Sequence, residues 1–318
     1  MTAKVLILES HAHIYAGELR KQFPDLHLLE ARDISELPPD LSDVDVLIAF
    51  GVSVNDDIFR RATNLKWVQS LATGVDHFLR CPSLGPQVLI TSGRGIHGAS
   101  MRETVVYLML SLGHEAIQQV GDKKAHVWDR RLWRLLAGKT VVVVGLGIAG
   151  AAIGQLLKAF DMKVIGVTRT PRELAGFDEI AATARLPEIA ARGDYVINVL
   201  PGSPDNIGLF GRDIFAVMKK SAFFINVGRG ETVDEAALIA ALRNGQIAGA
   251  GLDVFQTEPL PPESPFWDLA NVYVTPHIAG YVVEYEELVM PILVDNMRCF
   301  LAGRQGEMKN VVERSGHS

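Results

Sequence analysis

Residues 164–172 read VIGVTRTPR, a short apolar strand that stops abruptly at Thr168, Arg169, Thr170 and Arg172. Hydroxyls and guanidiniums at the end of a buried strand suit an anion. Upstream, VVVVGLGIAG sets Gly145, Gly147 and Gly150 in G-x-G-x-x-G spacing, directly after a strand and at the start of a helix. The first glycine permits a tight turn, the second lets backbone approach a pyrophosphate, and the third packs helix on sheet. Backbone N–H groups, Ile148 and Ala149 among them, and the helix dipole then face the phosphates. Glycine-rich turns are common, so the motif takes its meaning from the strand–loop–helix context. NAD-specific sites carry an acidic residue about twenty positions after the loop, on the ribose hydroxyls. Here Thr168, eighteen residues past Gly150, ends the second strand and Arg169 follows. A carboxylate would repel a 2′-phosphate, whereas a threonine with arginines would bind it through charge-assisted hydrogen bonds. The competing reading is of arginines merely solvated in a loop. The expected cofactor is NADP(H) in preference to NAD(H). AGKT at 137–140 imitates the end of a Walker A loop, but Trp133 stands where that motif needs a glycine, and the motif must follow its strand.

Three more residues sit at or near the ends of late strands, where open α/β sheets carry their sites. Arg229 lies in FINVGRGETVDEAAL, Glu258 in GLDVFQTEPLP and His277 in VYVTPHIAG. A lone histidine after a strand is more often structural than catalytic, and so is a lone glutamate before a proline. The trio is more informative.

The elements that must hold these residues follow from an alternation of β-rich and helical runs, which argues for parallel sheet with crossover helices. KVLILE, VDVLIAF, LKWVQSL and QVLITS come first, with a helical stretch over 55–62 among them. Ser100 and Glu103 have capping-box spacing and introduce a long apolar helix. From Val141 a second series reads as six strands: TVVVVG, KVIGVT, YVINVL, AFFINV, GAGLDVF and VYVTPH. Helices are expected over 150–160, 186–192, 211–217 and 235–243, with one long helix over 284–303. Six strands with intervening helices are what a doubly wound dinucleotide fold requires.

With 318 residues there is room for two cores, and a net charge of −6 gives no global attraction to nucleic acid or anionic lipid. The basic, Trp-containing segment over 121–140 reads better as a solvated helix or subunit contact than as a nucleic-acid site. Cys81 and Cys299 are far apart and in no metal-binding spacing, so no disulfide framework or metal site is expected and the cytoplasm is the natural compartment. The N-terminal MTAKVLILES reads as a first buried strand rather than a secretory signal. The apolar run 141–160 is crowded by glycines and is better explained by strand, turn and helix than by a membrane span.

Taken together, these motifs resemble the D-isomer-specific 2-hydroxyacid dehydrogenases over nearly the whole chain. The glycine loop, NVGRGETVDEAAL, GAGLDVFQTEPLP and VTPHIAG arrive in that family's order and at typical distances. SLATGVDH at 70–77 is similar to the family's substrate-binding loop. VLPGSPDNIGLF is similar to its loop near the cofactor, with Asn206 where a threonine is usual. The resemblance implies an α/β protein of two Rossmann-like doubly wound parallel-sheet domains with an active-site cleft between them, closing to exclude water. A substrate-binding, flavodoxin-like domain would span 1–97 plus 286–318, and the dinucleotide-binding Rossmann domain 98–285.

Residue by residue, the resemblance implies that Arg229 grips a 2-oxo acid's carboxylate and polarises its ketone. His277 would be the general acid in reduction and the base in oxidation, and Glu258 would favour the imidazolium and fix the ring. Ala72, Thr73, Gly74 and Val75 would form the substrate loop, its backbone N–H groups holding the carboxylate, with His77 structural or supporting. Leu200, Pro201, Val227, Gly228, Asp253, His277, Ala279 and Gly280 would line the cofactor, Asp253 near the nicotinamide carboxamide.

The implied activity is NADPH-dependent reduction of a small 2-oxo acid, of glyoxylate or hydroxypyruvate type, to the D-2-hydroxy acid by a cytoplasmic homodimer. Glu258 disfavours formate dehydrogenase, which carries a glutamine there and delivers no proton. Phosphoglycerate dehydrogenases commonly carry extra regulatory domains, for which this chain ends too soon. A bulkier branched or aromatic 2-oxo acid is the alternative, set by loops around Phe50, Leu71 and Tyr281. A dinucleotide-sensing interaction protein of corepressor type is the alternative of a different class. Its relatives keep the trio too, but this chain has no long disordered tail and no basic nuclear tract.

Overall fold

Four consecutive valines show how the larger sheet is built. Val142 and Val144 join one apolar cluster with Ile165, Val167, Val196 and Phe224, while Val141 and Val143 join another with Val164, Ile197, Phe223 and Ile225. Successive side chains of a strand point to opposite faces, so a strand covered on both faces must be apolar at every position.

A computed structural model describes residues 3–313. Its strands are β1 (Lys4–Leu8), β2 (His27–Ala31), β3 (Val46–Ala49), β4 (Trp67–Ser70), β5 (Leu89–Thr91), β6 (Thr140–Val144), β7 (Lys163–Thr168), β8 (Glu179–Ala182), β9 (Tyr195–Asn198), β10 (Phe223–Asn226), β11 (Gly249–Leu252) and β12 (Val272–Val274). The helices are α1 (Ala12–Gln22), α2 (Asp56–Arg61), α3 (Asp76–Leu79), α4 (Gly98–Gly113), α5 (Ala116–Ala125), α6 (Ile148–Lys158), α7 (Leu186–Ala190), α8 (Arg212–Val217), α9 (Glu235–Arg243) and α10 (Tyr285–Leu301).

The chain divides into two compact units, Met1–Ile96 with Val283–Ser318, and His97–Val282. The first holds a five-stranded parallel sheet in the order β2-β1-β3-β4-β5, one of the two common doubly wound orders. Its core includes Leu6, Leu8, Leu47, Val68, Phe78 and Ile90, and α10 packs on α1 within it.

The second holds a seven-stranded parallel sheet, β12-β11-β10-β9-β6-β7-β8. Numbered from β6, this is the other doubly wound order, 3-2-1-4-5-6, with one strand added beyond its sixth. The six-strand expectation is therefore one short. The missing strand is β8, a four-residue edge strand of mixed burial whose sequence EIAA carries no run of β-branched residues.

Helix starts also differ from the reading of the sequence. α4 begins at Gly98 with His97 as N-cap and no side-chain cap. Ser100 thus lies inside the first turn, and its hydroxyl donates to the His97 carbonyl at 3.3 Å instead of capping a free N–H. The capping-box expectation fails because the helix starts three residues earlier than the motif implies. α6 likewise begins at Ile148 rather than at Gly150.

Candidate active site

The strand order reverses between β6 and β9, and ligands of open α/β sheets bind at such a switch point, beyond the carboxyl ends of the strands. The glycine loop leaves β6 there, with Gly147 as the N-cap of α6. A Cβ at Gly150 would lie 1.9 Å from the Gly145 carbonyl oxygen, so only glycine fits where the helix crosses the turn. A Cβ at Gly147 would meet nothing within 4 Å. Its backbone faces open space at a helix N-terminus, which suits a phosphate.

Thr168 ends β7 beside this loop, where the Gly145 N–H donates to the Val167 carbonyl at 2.9 Å. Of the residues expected to select the cofactor, Arg169 has a side chain 82 % exposed, 3.5 Å from Asp205. Thr170 is exposed. Arg172 braces the glycine loop, its Nη2 donating to the Leu146 carbonyl at 3.0 Å. Leu200 and Pro201 follow β9: the Leu200 N–H donates to Asn198 Oδ1 at 3.1 Å, and Asn206 donates to the Pro201 carbonyl at 3.0 Å. The asparagine in the place of a threonine therefore ties its own loop together.

Arg229, Glu258 and His277 follow β10, β11 and β12, three neighbouring strands, so the topology delivers all three to one edge of the sheet. His277 Nδ1 lies 2.6 Å from Glu258 Oε2, and Glu258 Oε1 accepts the Phe255 N–H at 2.9 Å. The hydrogen bond to Glu258 raises the His277 pKa above its ordinary 6.5, against the opposing effect of burial, and the carboxylate's charge adds to the rise. Burial alone would push Glu258 up. Its bonds from His277 and the Phe255 N–H, with the charges of His277 and Arg229, outweigh that and hold it below its ordinary value. An ionised Glu258 makes Nδ1 the donor and leaves Nε2 to exchange a proton with a substrate.

His277 adopts a left-handed backbone, φ 54°, uncommon for a residue with a side chain. Asp253 holds it there. This carboxylate, 1 % exposed, accepts the Thr275 hydroxyl at 2.6 Å and the N–H groups of Ile278 and Ala279 at 2.9 Å each. The Asp253 carbonyl accepts the His277 N–H at 2.8 Å. Gly280 follows, packed against the His97 ring. Burial and the charge of Arg229 hold the His97 imidazole below its ordinary pKa. Sequence reading passed over His97 because an isolated histidine before a helix carries no signature.

Arg229 itself is held at both ends. Its Nη1 donates to the Gly228 carbonyl at 2.8 Å, and its own carbonyl accepts the Thr232 hydroxyl at 2.6 Å. The Val227 N–H donates to the Asn198 carbonyl. Asn198, Asn226 and Thr232 were not singled out in the sequence, although a signal exists. In both VINV and FINV one asparagine interrupts an apolar strand, and the register pairs Asn198 with Asn226.

In the first unit, residues 72–75 follow β4. Their carbonyls turn inward: the Ser70 hydroxyl reaches those of Ala72 and Gly74 at 3.0 and 3.2 Å, and the Gly93 N–H donates to Ala72 at 2.9 Å. The Tyr285 hydroxyl donates to the Leu71 carbonyl at 3.0 Å. The Val75 carbonyl accepts the N–H groups of Phe78 and Leu79 at the start of α3, and His77 is an exposed residue of that helix. Among the described residues no group of three or more His, Cys, Asp or Glu could hold a metal ion. No helix among them is long and apolar enough to cross a membrane.

A family model described as the NAD binding domain of D-isomer specific 2-hydroxyacid dehydrogenases matches residues 106–279. The D-3-phosphoglycerate dehydrogenase of Methanocaldococcus jannaschii is 30% identical over 313 residues; the match covers 97% of this chain and 59% of that protein's length. Glyoxylate/hydroxypyruvate reductase B of Yersinia pestis is 33% identical over 282 residues, 84% of each chain. An NADPH-dependent glyoxylate/hydroxypyruvate reductase from Sinorhizobium meliloti, solved in complex with NADP and sulfate, superposes with a TM-score of 0.86 at 30% identity, covering 98% of both chains.

Proposed function

This chain belongs to the D-isomer-specific 2-hydroxyacid dehydrogenase family, and from that premise we propose that it reduces a small 2-oxo acid to the D-2-hydroxy acid with NADPH. The observation that carries the reading is the His277–Glu258 pair at 2.6 Å, on the same sheet edge as Arg229. It combines an imidazole that can give up a proton, a carboxylate that favours its protonated form and a permanent cation, which is what reduction of a 2-oxo acid requires.

The residues that would hold the dinucleotide are Gly145, Gly147, Ile148 and Ala149 at the pyrophosphate, with Leu200, Pro201, Val227, Gly228, Asp253, Ala279 and Gly280 along the remainder. The open backbone at Gly147 and the helix behind it fit a phosphate. When bound, the cofactor supplies the hydride. His277 Nε2 gives its proton to the carbonyl oxygen and Glu258 stabilises the charged ring before transfer. A guanidinium has five N–H donors, so one bond to Gly228 leaves others of the Arg229 fork for a carboxylate.

Thr168, Arg169 and Thr170 favour NADPH, because the strand that carries them ends without a carboxylate. The S. meliloti reductase, with NADP bound, supports that choice, and the two glyoxylate/hydroxypyruvate reductases support a substrate of that size. The Trp128 and Leu132 side chains, 93 % and 96 % exposed, are the apolar surface that a second copy would cover in a homodimer. The free Cys81 and Cys299 thiols suit a reducing cytoplasm.

An absorbance screen of glyoxylate, hydroxypyruvate, pyruvate and phenylpyruvate, each with NADPH and NADH, tests the whole reading. Fastest turnover of hydroxypyruvate or glyoxylate with NADPH is expected. A clear NADH preference would overturn the cofactor assignment, and fastest turnover of phenylpyruvate would move the substrate to the bulky class. No turnover of any acid would refute the reductase. Sedimentation of a monomer at micromolar concentration would refute the homodimer.

A further inference from the structure

Two adjacent strands of the larger sheet, β9 and β10, each end in a buried asparagine. Asn198 is 0 % and Asn226 2 % exposed, and Thr232, in the turn after Arg229, is 0 % exposed. Buried polar groups are costly unless every donor and acceptor finds a partner, so the partners here matter. Asn198 Nδ2 donates to Asn226 Oδ1 at 2.8 Å and to Thr232 Oγ1 at 2.6 Å. Thr232 Oγ1, having accepted that bond, has its one proton for the Arg229 carbonyl at 2.6 Å. Asn226 Oδ1 also accepts the Gly228 N–H at 3.1 Å, and Asn226 Nδ2 donates to the Arg229 carbonyl at 3.3 Å. The directions agree throughout: each amide oxygen receives an N–H, and each amide nitrogen meets an oxygen. Rotating either amide by half a turn would set like groups together, so the network has one arrangement.

We propose that Thr232, acting with Asn198 and Asn226, is the positioning residue for Arg229. The Arg229 carbonyl is fixed by the Thr232 hydroxyl and N–H and by the Asn226 amide. The guanidinium rests on the Gly228 carbonyl, in a peptide chain whose Gly228 N–H is fixed by the same Asn226. Both ends of the arginine are therefore referenced to one buried amide pair. Asn198 Oδ1 also accepts the Leu200 N–H, so the loop expected near the cofactor shares the same reference. The chemistry rewards this, because a carboxylate gripped by a planar fork must sit at a fixed distance from the His277 proton. In a low-dielectric interior the linked bonds reinforce one another.

This proposal rests on the reading of Arg229 as the carboxylate grip, and Thr232→Val tests it, since valine keeps the shape and loses the hydroxyl. The expected result is an oxo-acid KM raised about tenfold with a smaller loss in kcat, and an NADPH Kd within about twofold of the parent by fluorescence titration. Arg229 should also react several-fold faster with phenylglyoxal, followed by mass spectrometry of its peptide. Thr232→Ser, which restores the hydroxyl, should recover the parent KM to within about threefold. Should Thr232→Val fail to fold, Thr232→Ala carries the same comparison. An unchanged KM and unchanged Arg229 reactivity would overturn the proposal. So would a loss of NADPH affinity in step with KM that serine does not rescue, because that marks a general structural role. The phenylglyoxal rate reads the network even if no oxo acid is turned over, so failure of the proposed reductase activity and failure of this inference are told apart.

Discussion

The edge formed by β10, β11 and β12 and the end of β7 lie on one sheet and are held in opposite ways. At the first, the catalytic candidates are fixed by buried groups: Asp253, 1 % exposed, clamps the turn of His277, and Asn198, Asn226 and Thr232 fix Arg229. At the second, Arg169 projects into water and meets Asp205, itself 76 % exposed, at 3.5 Å. Proton transfer fails with small errors of geometry, so its groups need a rigid frame. Choosing between a phosphate and a hydroxyl, the role proposed for Arg169, needs charge more than position, and an exposed guanidinium supplies that. The difference predicts large, salt-insensitive effects at the first region and small, salt-sensitive effects at the second.

The largest effect should come from His277→Ala, with turnover falling roughly 10²–10⁴-fold for loss of general acid catalysis while NADPH binding is retained. Near-normal steady-state turnover would remove His277 from the chemistry. Arg229→Ala should raise the oxo-acid KM and lower kcat together, by about 10²-fold or more in kcat/KM; an unchanged KM would show that the carboxylate is held elsewhere.

Glu258→Gln tests the pair through pH. The proposed reduction draws its proton from His277, and the hydrogen bond to Glu258 raises that pKa from the ordinary 6.5. In the parent, kcat/KM for reduction should therefore hold through 6.5 and decline at higher pH. In the glutamine variant the decline should move to lower pH, towards 6.5. A pH–rate profile with the limb unmoved would show that Glu258 does not set the pKa. The same sign governs stability: the raised His277 pKa stabilises the fold fully below 6.5, and that contribution is lost as pH rises through the folded value.

At the second region, Arg169→Ala should raise the NADPH KM about tenfold and leave the NADH KM unchanged, with the difference shrinking as salt is added. A salt-independent loss with both cofactors would mean that Arg169 is part of the rigid frame. The smallest effect belongs to Asp205→Asn, which frees Arg169 from its exposed partner and should tighten NADPH by about two- to threefold at low salt. Weaker NADPH binding in that variant would break the picture of a carboxylate competing with the phosphate.

Much of this arrangement is legible in the sequence. The glycine loop stood out because a turn, a phosphate approach and a helix contact each demand a small residue at fixed spacing. The strands of the second series stood out because a doubly covered parallel sheet demands unbroken apolar runs. β2 and β8 did not, since edge strands are short and half-exposed and their sequences, HLLEA and EIAA, look like ordinary surface segments. The start of α4 departs from the capping-box expectation because Ser100 and Glu103 match a local motif whose place the helix itself occupies.

By itself, the sequence determined which chemistries were available: a phosphate-binding turn, a strand end bearing arginines and no carboxylate, and an arginine, a glutamate and a histidine after successive strands. These are consequences of residue type and local spacing. Only the tertiary structure decided which of them act together. Parallel crossovers bring the ends of β10, β11 and β12 to one edge, so that Glu258 and His277, nineteen residues apart, share a hydrogen bond. Register sets Asn198 against Asn226 beneath Arg229. Hydrogen bonds act over about 3 Å, and only the folding of the chain brings distant residues that close.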